Sequence, residues 1–197
     1  MELPKGDGKL IQIVDAALAD AGRRAGAWLA CRPGCTQCCF GAFAINQLDA
    51  LRLAAGMKEL RRQNEDLAHE IEGRAAAWIA EYGPEFPGDL VTGRIGETED
   101  ERARFEDFAN EAACPALDPA TGLCGVYQWR PMTCRVFGPP VRMGEGDALG
   151  HCELCFEGAS TEQVAACEME IPHELEQEIL AQDRLEGETL VAFVLRC

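Results

Sequence analysis

The stretch "CRPGCTQCCF", residues 31–40, places four cysteines within nine positions, two of them adjacent. A lone buried cysteine behaves as a small hydrophobe and asks nothing of its neighbours. Four so close together demand either disulfides or a shared inorganic partner. The chain has eleven cysteines in 197 residues, an odd number that disulfides cannot use up within one molecule. Its first residues, "MELPKGDGKLIQIVDAALAD", show no basic segment followed by an apolar run, so no signal peptide is expected. No stretch reaches the roughly 18 apolar residues of a membrane span, and "LVAFVLRC" at the end is far too short. A cytoplasmic location is the expectation, and there structural disulfides are rare. Clustered thiols in that setting point to metal binding or redox chemistry.

The cysteines fall into three sequence groups. Cys31, Cys35, Cys38 and Cys39 form C-x3-C-x2-C-C; Cys114, Cys124 and Cys134 follow at intervals of ten; Cys152 and Cys155 form C-x2-C. The C-x2-C step, present also at Cys35–Cys38, sets two thiolates on one side of a tight turn and recurs in zinc and iron–sulfur sites. Adjacent side chains usually diverge, so Cys38 and Cys39 are expected to serve two sites, two atoms of a multinuclear cluster, or one site with one bystander. Bringing residue 31 to residue 134 closes a long loop, at a cost that rises only slowly with length. Metal–thiolate bonding can offset it, since structural zinc contributes about 10 to 16 kcal/mol of apparent binding energy in small peptides.

The rest of the chain reads as helical. Leu10, Ile13, Val14, Ala17, Leu18 and Ala21 predict an amphipathic helix over 9–30 that delivers the chain to Cys31. Asn46 is an N-cap for a helix over 47–60, and Leu67, Ile71, Ala75, Trp78 and Ile79 mark another reaching Tyr82, with Gly56 either dividing the two or lying inside one long helix. Residues 83–96 read as a loop. Thr98 with Glu101, and Ser160 with Gln163, resemble capping boxes, the first starting a helix that carries Phe105, Phe108 and Ala109. Pro172 suits the start of a final helix, "HELEQEILAQDRLEG". Residues 114–158 have no clear period and cannot bury much apolar surface unaided; short strand pairs near 90–95 or 123–127 are compatible with the pattern.

Charge excludes several partners. A net charge of −16 with no basic stripe argues against nucleic acid and against an anionic membrane surface. Residues 114–143 depart from this balance, because their ionisable side chains other than cysteine and tyrosine are Asp118, Arg130, Arg135 and Arg142. These arginines, with Arg32, are expected to offset the charge of converging thiolates and to help keep them ionised. His69 and His173 read as surface residues; His151, beside Cys152, is a candidate nitrogen donor. Cys167 reads as core and Cys197 as a free terminal thiol. Tyr127 and Trp129 are expected to cover the site. No Ser/His/Asp grouping or paired-carboxylate motif stands out.

"CRPGCTQCC" taken with "CPALDPATGLCGVYQWRPMTCRVF" resembles the YkgJ-like CxxCxxCC cysteine-cluster family, to which zinc or iron chelation is ascribed. The matching features are the cysteine knot ending in an adjacent pair, then Cys114-Pro115, Gly122-Leu123-Cys124, Tyr127, and Arg130-Pro131-Met132-Thr133-Cys134-Arg135. The resemblance spans about residues 31–137, with Cys152 and Cys155 completing it. One departure is the three-residue gap between Cys31 and Cys35, where the commoner form has two. The resemblance implies metal binding and leaves the metal open. Some larger proteins with this pattern are linked to N-methylation of flagellin lysines, which supplies an enzymatic alternative. This chain lacks a glycine-rich strand-to-helix signature for S-adenosylmethionine, and "GPPVRMGEGDALG" is too unspecific to take its place.

The expected architecture is a single, mainly α domain over 1–197, with irregular cysteine-rich loops packed on a helical scaffold around a metal centre. The cysteine module covers about 31–155 and a helical C-terminal extension 160–197. The expected ligands are Cys31, Cys35, Cys38, Cys39, Cys114, Cys124, Cys134, Cys152 and Cys155. Surplus thiols and the adjacent pair favour an iron–sulfur centre of the four-iron type, for redox, sensing or support of a protein modification. A zinc-stapled interaction module and a protein-lysine methylating enzyme are the alternatives. A protein partner or substrate is left open.

Overall fold

The computed structural model describes residues 3–143 and 148–196. Cys197 and residues 144–147 of the stretch "GPPVRMGEGDALG" lie outside the described residues. Helix α1 (Asp7–Ala25) buries Leu10, Val14, Ala21 and Ala25 along one stripe, the spacing of an amphipathic helix. It ends earlier than its sequence pattern predicts, because Gly26 turns to φ +52°, a left-handed conformation that a Cβ disfavours. A short 3-10 turn over Gly26–Trp28 then aims the chain at the first cysteine loop.

Strand β1 (Ala44–Asn46) leads into α2 (Gln47–Gln63). Asn46 caps α2 by accepting the Asp49 amide at 2.9 Å. Asn64 does the same for α3 (Glu65–Tyr82), accepting the Leu67 amide at 3.1 Å. The two helices thus divide at Asn64. Gly56 sits inside α2, where a Cβ would stand 2.2 Å from Cγ of Trp129. It is the place where the 3-10 turn over Tyr127–Trp129 packs onto the helix.

Residues 83–96 are more ordered than a loop. Strands β2 (Gly88–Asp89) and β3 (Arg94–Ile95) form a hairpin. The Thr98–Glu101 capping box starts α4 (Glu99–Glu106) as its sequence predicts, but the helix stops before Phe108 and Ala109. Phe108 instead joins an aromatic cluster with Trp78, Phe86 and Phe193. Helix α5 (Met132–Val136) follows the Tyr127–Trp129 turn. Strands β4 (Val141–Arg142) and β5 (Leu149–Gly150) pair antiparallel. The Ser160–Gln163 capping box opens α6 (Thr161–Ala165).

Helix α7 (His173–Gln182) is shorter than its charged pattern predicts and is not the last element. Positive φ at Arg184 (+52°) and Gly187 (+77°) ends it. Strand β6 (Glu188–Leu190) and helix α8 (Val191–Leu195) follow. Strand β6 lies inside a four-stranded antiparallel sheet of order β1-β6-β3-β2, with Ile45 opposite Thr189 and Arg94 opposite Thr189 on its other edge. The C-terminal run "LVAFVL" is therefore central. Leu195 packs with α2 and α3, and Phe193 joins the aromatic cluster.

The fold is mainly α, with cysteine-bearing segments laid against the helices. Cys114, Cys124 and Trp129 pack on the α2–α3–α8 core. Cys152, Cys155 and Cys167 join Ala25 and Phe156 in a smaller cluster near the end of α1.

Candidate metal centres

The structure sorts the nine cysteines of the three sequence groups into two spatial groups. In the first, Cys31 interacts most strongly with Cys155, then with Cys35 and Cys152, and Cys152 with Cys155 and Cys35. In the second, Cys39 interacts with Cys38, Cys114 and Cys124, and Cys134 with Cys114, Cys38 and Cys124. The four-cysteine run of residues 31–39 is thus split between two places, two thiols to each. All ten described cysteines are free thiols.

Local turns build the four-thiol group. The Cys35 amide donates to Arg32 O at 2.9 Å, and the Cys155 amide to Cys152 O at 2.9 Å. The second turn is stitched to the end of the first helical segment. Phe156 N–H donates to Trp28 O at 2.8 Å, and Ala30 N–H points at the Cys155 sulfur at 3.4 Å. The Cys155 sulfur also accepts from the thiols of Cys31 and Cys152. Gly138 crosses so close that a Cβ there would meet the Cys31 sulfur at 2.7 Å, and its φ of +128° suits glycine alone. Burial, then the neighbouring Cys155 sulfur, pushes the Cys31 thiol up to about 12. Burial raises Cys152 as well, while the Leu154 amide opposes it.

The five-thiol group is assembled from more segments. A 3-10 turn over Gln37–Cys39 presents the adjacent pair, and the Cys114 amide donates to Cys39 O at 2.7 Å. Leu117 bridges to Cys124. Helix α5 contributes Cys134. Backbone amides are aimed at the sulfurs: Ala116 and Leu117 at Cys114, Val126 at Cys124. Such N–H donors favour the thiolate. A partly open gap of about 30 Å³ is lined by Cys38, Cys114 and Cys134 together with Phe43, Trp78 and Leu190.

The adjacent cysteines do not diverge as an extended chain would require. The tight turn keeps both in one group, and the Cys39 thiol donates to the Cys38 sulfur. That bond is the main cause holding Cys38 down at about 6, helped by its own amide and by Arg130 against the opposing effect of burial. The same bond, then burial, raises Cys39. Burial pushes Cys114 up to about 12 and raises Cys124 and Cys134 too. Thiols held neutral by burial and by one another ionise together only when a cation joins them. The donor set is all sulfur, which suits zinc or iron. Among the described residues no three Cys, His, Asp or Glu side chains stand in a finished coordination arrangement. Three thiol pairs, Cys31–Cys155, Cys152–Cys155 and Cys38–Cys39, are instead hydrogen-bonded to each other.

The arginines divide. Arg130 lies 3.9 Å over the Tyr127 ring, donates to Tyr127 O at 2.8 Å, and favours ionisation of Cys38 and Cys124. Arg135 does not take the expected role of offsetting thiolate charge. Its guanidinium turns away, to Asp15 at 2.6 Å and to the carbonyls of Arg130 and Gln128. Arg142 pairs with Glu168. His151 rests on the Phe156 ring, its Nδ1 3.0 Å from Cys152 O. His69 and His173 are exposed. Cys167 is buried in the core. Trp129 packs on Gly56, while Tyr127 is 60 % exposed and covers Arg130.

Sequence reasoning missed Asp49. It is 2 % exposed, accepts the Met132 amide at 2.8 Å, and pairs with Arg52. An aspartate in the first turn of a helix looks like an ordinary dipole partner, so no local pattern marks it.

A helical scaffold that gathers nine thiols into two groups defines a cysteine-cluster protein. The chain belongs to the CxxCxxCC family, described as a "Putative zinc- or iron-chelating domain", whose model matches residues 30–152. No curated protein and no solved structure matches it. Membership of that family supports metal binding, with zinc or iron as the metal. No described helix is long and apolar enough to cross a membrane.

Proposed function

We propose that each thiol group holds a metal centre, and that the five-thiol group, Cys38, Cys39, Cys114, Cys124 and Cys134, holds an iron–sulfur centre. What supports this reading is that five thiols influence one another electrostatically, one more than a tetrahedral ion takes. A cluster with several metal atoms takes four thiolates, each on its own iron, and leaves the fifth as a hydrogen-bond donor to a ligand sulfur. Cys39, which donates to Cys38, fills that part. The Ala116, Leu117 and Val126 amides and Arg130 would tune the potential through charge and hydrogen bonding to sulfur. The use that fits is electron transfer, redox sensing or support of a protein modification.

Cys31, Cys35, Cys152 and Cys155 supply the four thiolates of a closed tetrahedral site, which makes zinc their natural occupant. The small gap beside Cys38, Cys114 and Cys134 favours a second reading, zinc at both groups. A single ion needs less space among the sulfurs than a four-iron core does. For lysine N-methylation, nothing among the described residues adds support.

Anaerobic purification with metal and sulfide analysis tests the proposal. The expected result is brown protein with iron and acid-labile sulfide, losing its colour on Cys114→Ser/Cys124→Ser and keeping it on Cys152→Ser/Cys155→Ser. Colourless protein with two zinc ions would replace it with the second reading.

A further inference from the structure

Helix α5 carries Cys134, and at five residues it is too short to be stable by itself. Pro131, the residue before it, offers no side-chain cap. What fixes it is a buried carboxylate from another helix. Asp49, in the first turn of α2, accepts the amide of Met132, the first residue of α5, at 2.8 Å. Its other oxygen takes Arg52, and Arg52 donates onward to Asp7 at the start of α1, through Nε at 3.0 Å and Nη2 at 2.5 Å. All three side chains are at most 5 % exposed. Packing of Met132 alone would hold α5 against α1 and α2 yet leave it free to roll about its axis. A directional bond to its first amide removes that freedom.

We propose that Asp49 is a positioning residue for the five-thiol group: by holding the first amide of α5, it sets where the Cys134 sulfur stands relative to Cys38 and Cys114. The inference rests on the reading that this group binds metal. Buried charge of this kind is poor value for stability alone, since well-packed apolar residues often serve as well or better. Its return is a fixed ligand geometry, as supporting hydrogen bonds give in other metal sites.

Cobalt(II) titration tests this, because the thiolate-to-cobalt absorption counts sulfur ligands whichever metal is native. In the full chain with Cys152→Ser and Cys155→Ser, only the five-thiol group remains. There Asp49→Ala should weaken cobalt binding about 10- to 100-fold and reduce the thiolate absorption per cobalt. Asp49→Asn, which keeps an oxygen for the Met132 amide, should lose less. In the reciprocal chain, Cys114→Ser with Cys124→Ser, Asp49→Ala should leave cobalt binding by the four-thiol group unchanged. Equal affinity and spectrum with and without Asp49 would overturn the proposal. So would an equal loss at both groups, which would mean that Asp49 merely supports the fold. If the parent chain takes up no cobalt at the five-thiol group, the metal reading itself falls.

Discussion

The two cysteine groups use the same chemistry and are built in opposite ways. The four-thiol group needs only two segments: two short turns, each closed by an amide-to-carbonyl bond, meet where the 28–30 and 152–156 segments are stitched together. Its support is a small cluster of Ala25, Phe156 and Cys167. The five-thiol group gathers four segments, at 37–39, 114, 124 and 132–136, against the main helical core. Its geometry depends on α2, through Gly56 under Trp129 and Asp49 on Met132. Where local turns suffice, the ligands carry their own scaffold. Where they do not, the scaffold must reach in with buried polar groups, and these are expensive unless fully partnered.

The largest test of that contrast is metal removal. The segments over 114–143 and 148–158 hold only short elements of secondary structure, so stripping both groups with a chelator should loosen them far more than α1–α3. Hydrogen exchange would show protection lost over 114–143 and 148–158 and retained on the Leu53–Ile71 core. Equal loss everywhere would mean that the helices also depend on metal. Next come two glycines. Gly56→Ala forces a Cβ into Trp129, where overpacking typically costs about 1 to 3 kcal/mol, and should disturb the five-thiol group. Gly138→Ala drives a Cβ at the Cys31 sulfur from a left-handed backbone and should disturb the four-thiol group. Metal counts in each variant check this, and crossed effects would erase the distinction between the groups.

Arg135→Ala is the intermediate case. It removes a guanidinium that is 2 % exposed and satisfies Asp15 and two carbonyls. Asp15 is half-exposed, so the loss should sit at the low end for a broken buried pair, about 3 kcal/mol. Denaturant unfolding measures it.

Much of this was legible from sequence because the informative signals are local. Asn46, the Thr98–Glu101 box and the Ser160–Gln163 box each cap the helix predicted from them, since a cap is decided within four residues. The helical character of the chain follows from apolar spacing. Strand β6 was not legible: three residues run straight into the apolar helix α8, and only pairing with Ala44–Asn46 and Arg94 defines it. The partition of the thiols was hidden for a similar reason. Spacing suggests that Cys35 and Cys38 share a site, but the 3-10 turn after Thr36 sends them to different ones. Arg135 follows Cys134 directly, yet its direction is set by Asp15, 120 residues away.

The smallest effects concern protonation, and they distinguish the groups without any mutation. In metal-free protein, Cys38 sits at about 6 and Cys31 and Cys114 near 12, against an ordinary value of 9.0. A depressed value favours the folded state once the thiol is ionised. That contribution is complete above pH 9 and fades as the pH falls towards 6. The raised thiols work in reverse, favouring the folded state below pH 9 and losing that advantage as the pH climbs towards 12. At pH 7, then, the five-thiol group contains the reactive thiolate. Brief alkylation followed by peptide mapping should label Cys38 well before Cys31, although Cys31 is the more exposed, with a rate that rises through pH 6. Arg130→Ala should shift that midpoint upward by a fraction of a pH unit, since Arg130 is the weakest of the influences holding Cys38 down. Preferential labelling of Cys31 would place accessibility above ionisation and undo the electrostatic difference between the two groups.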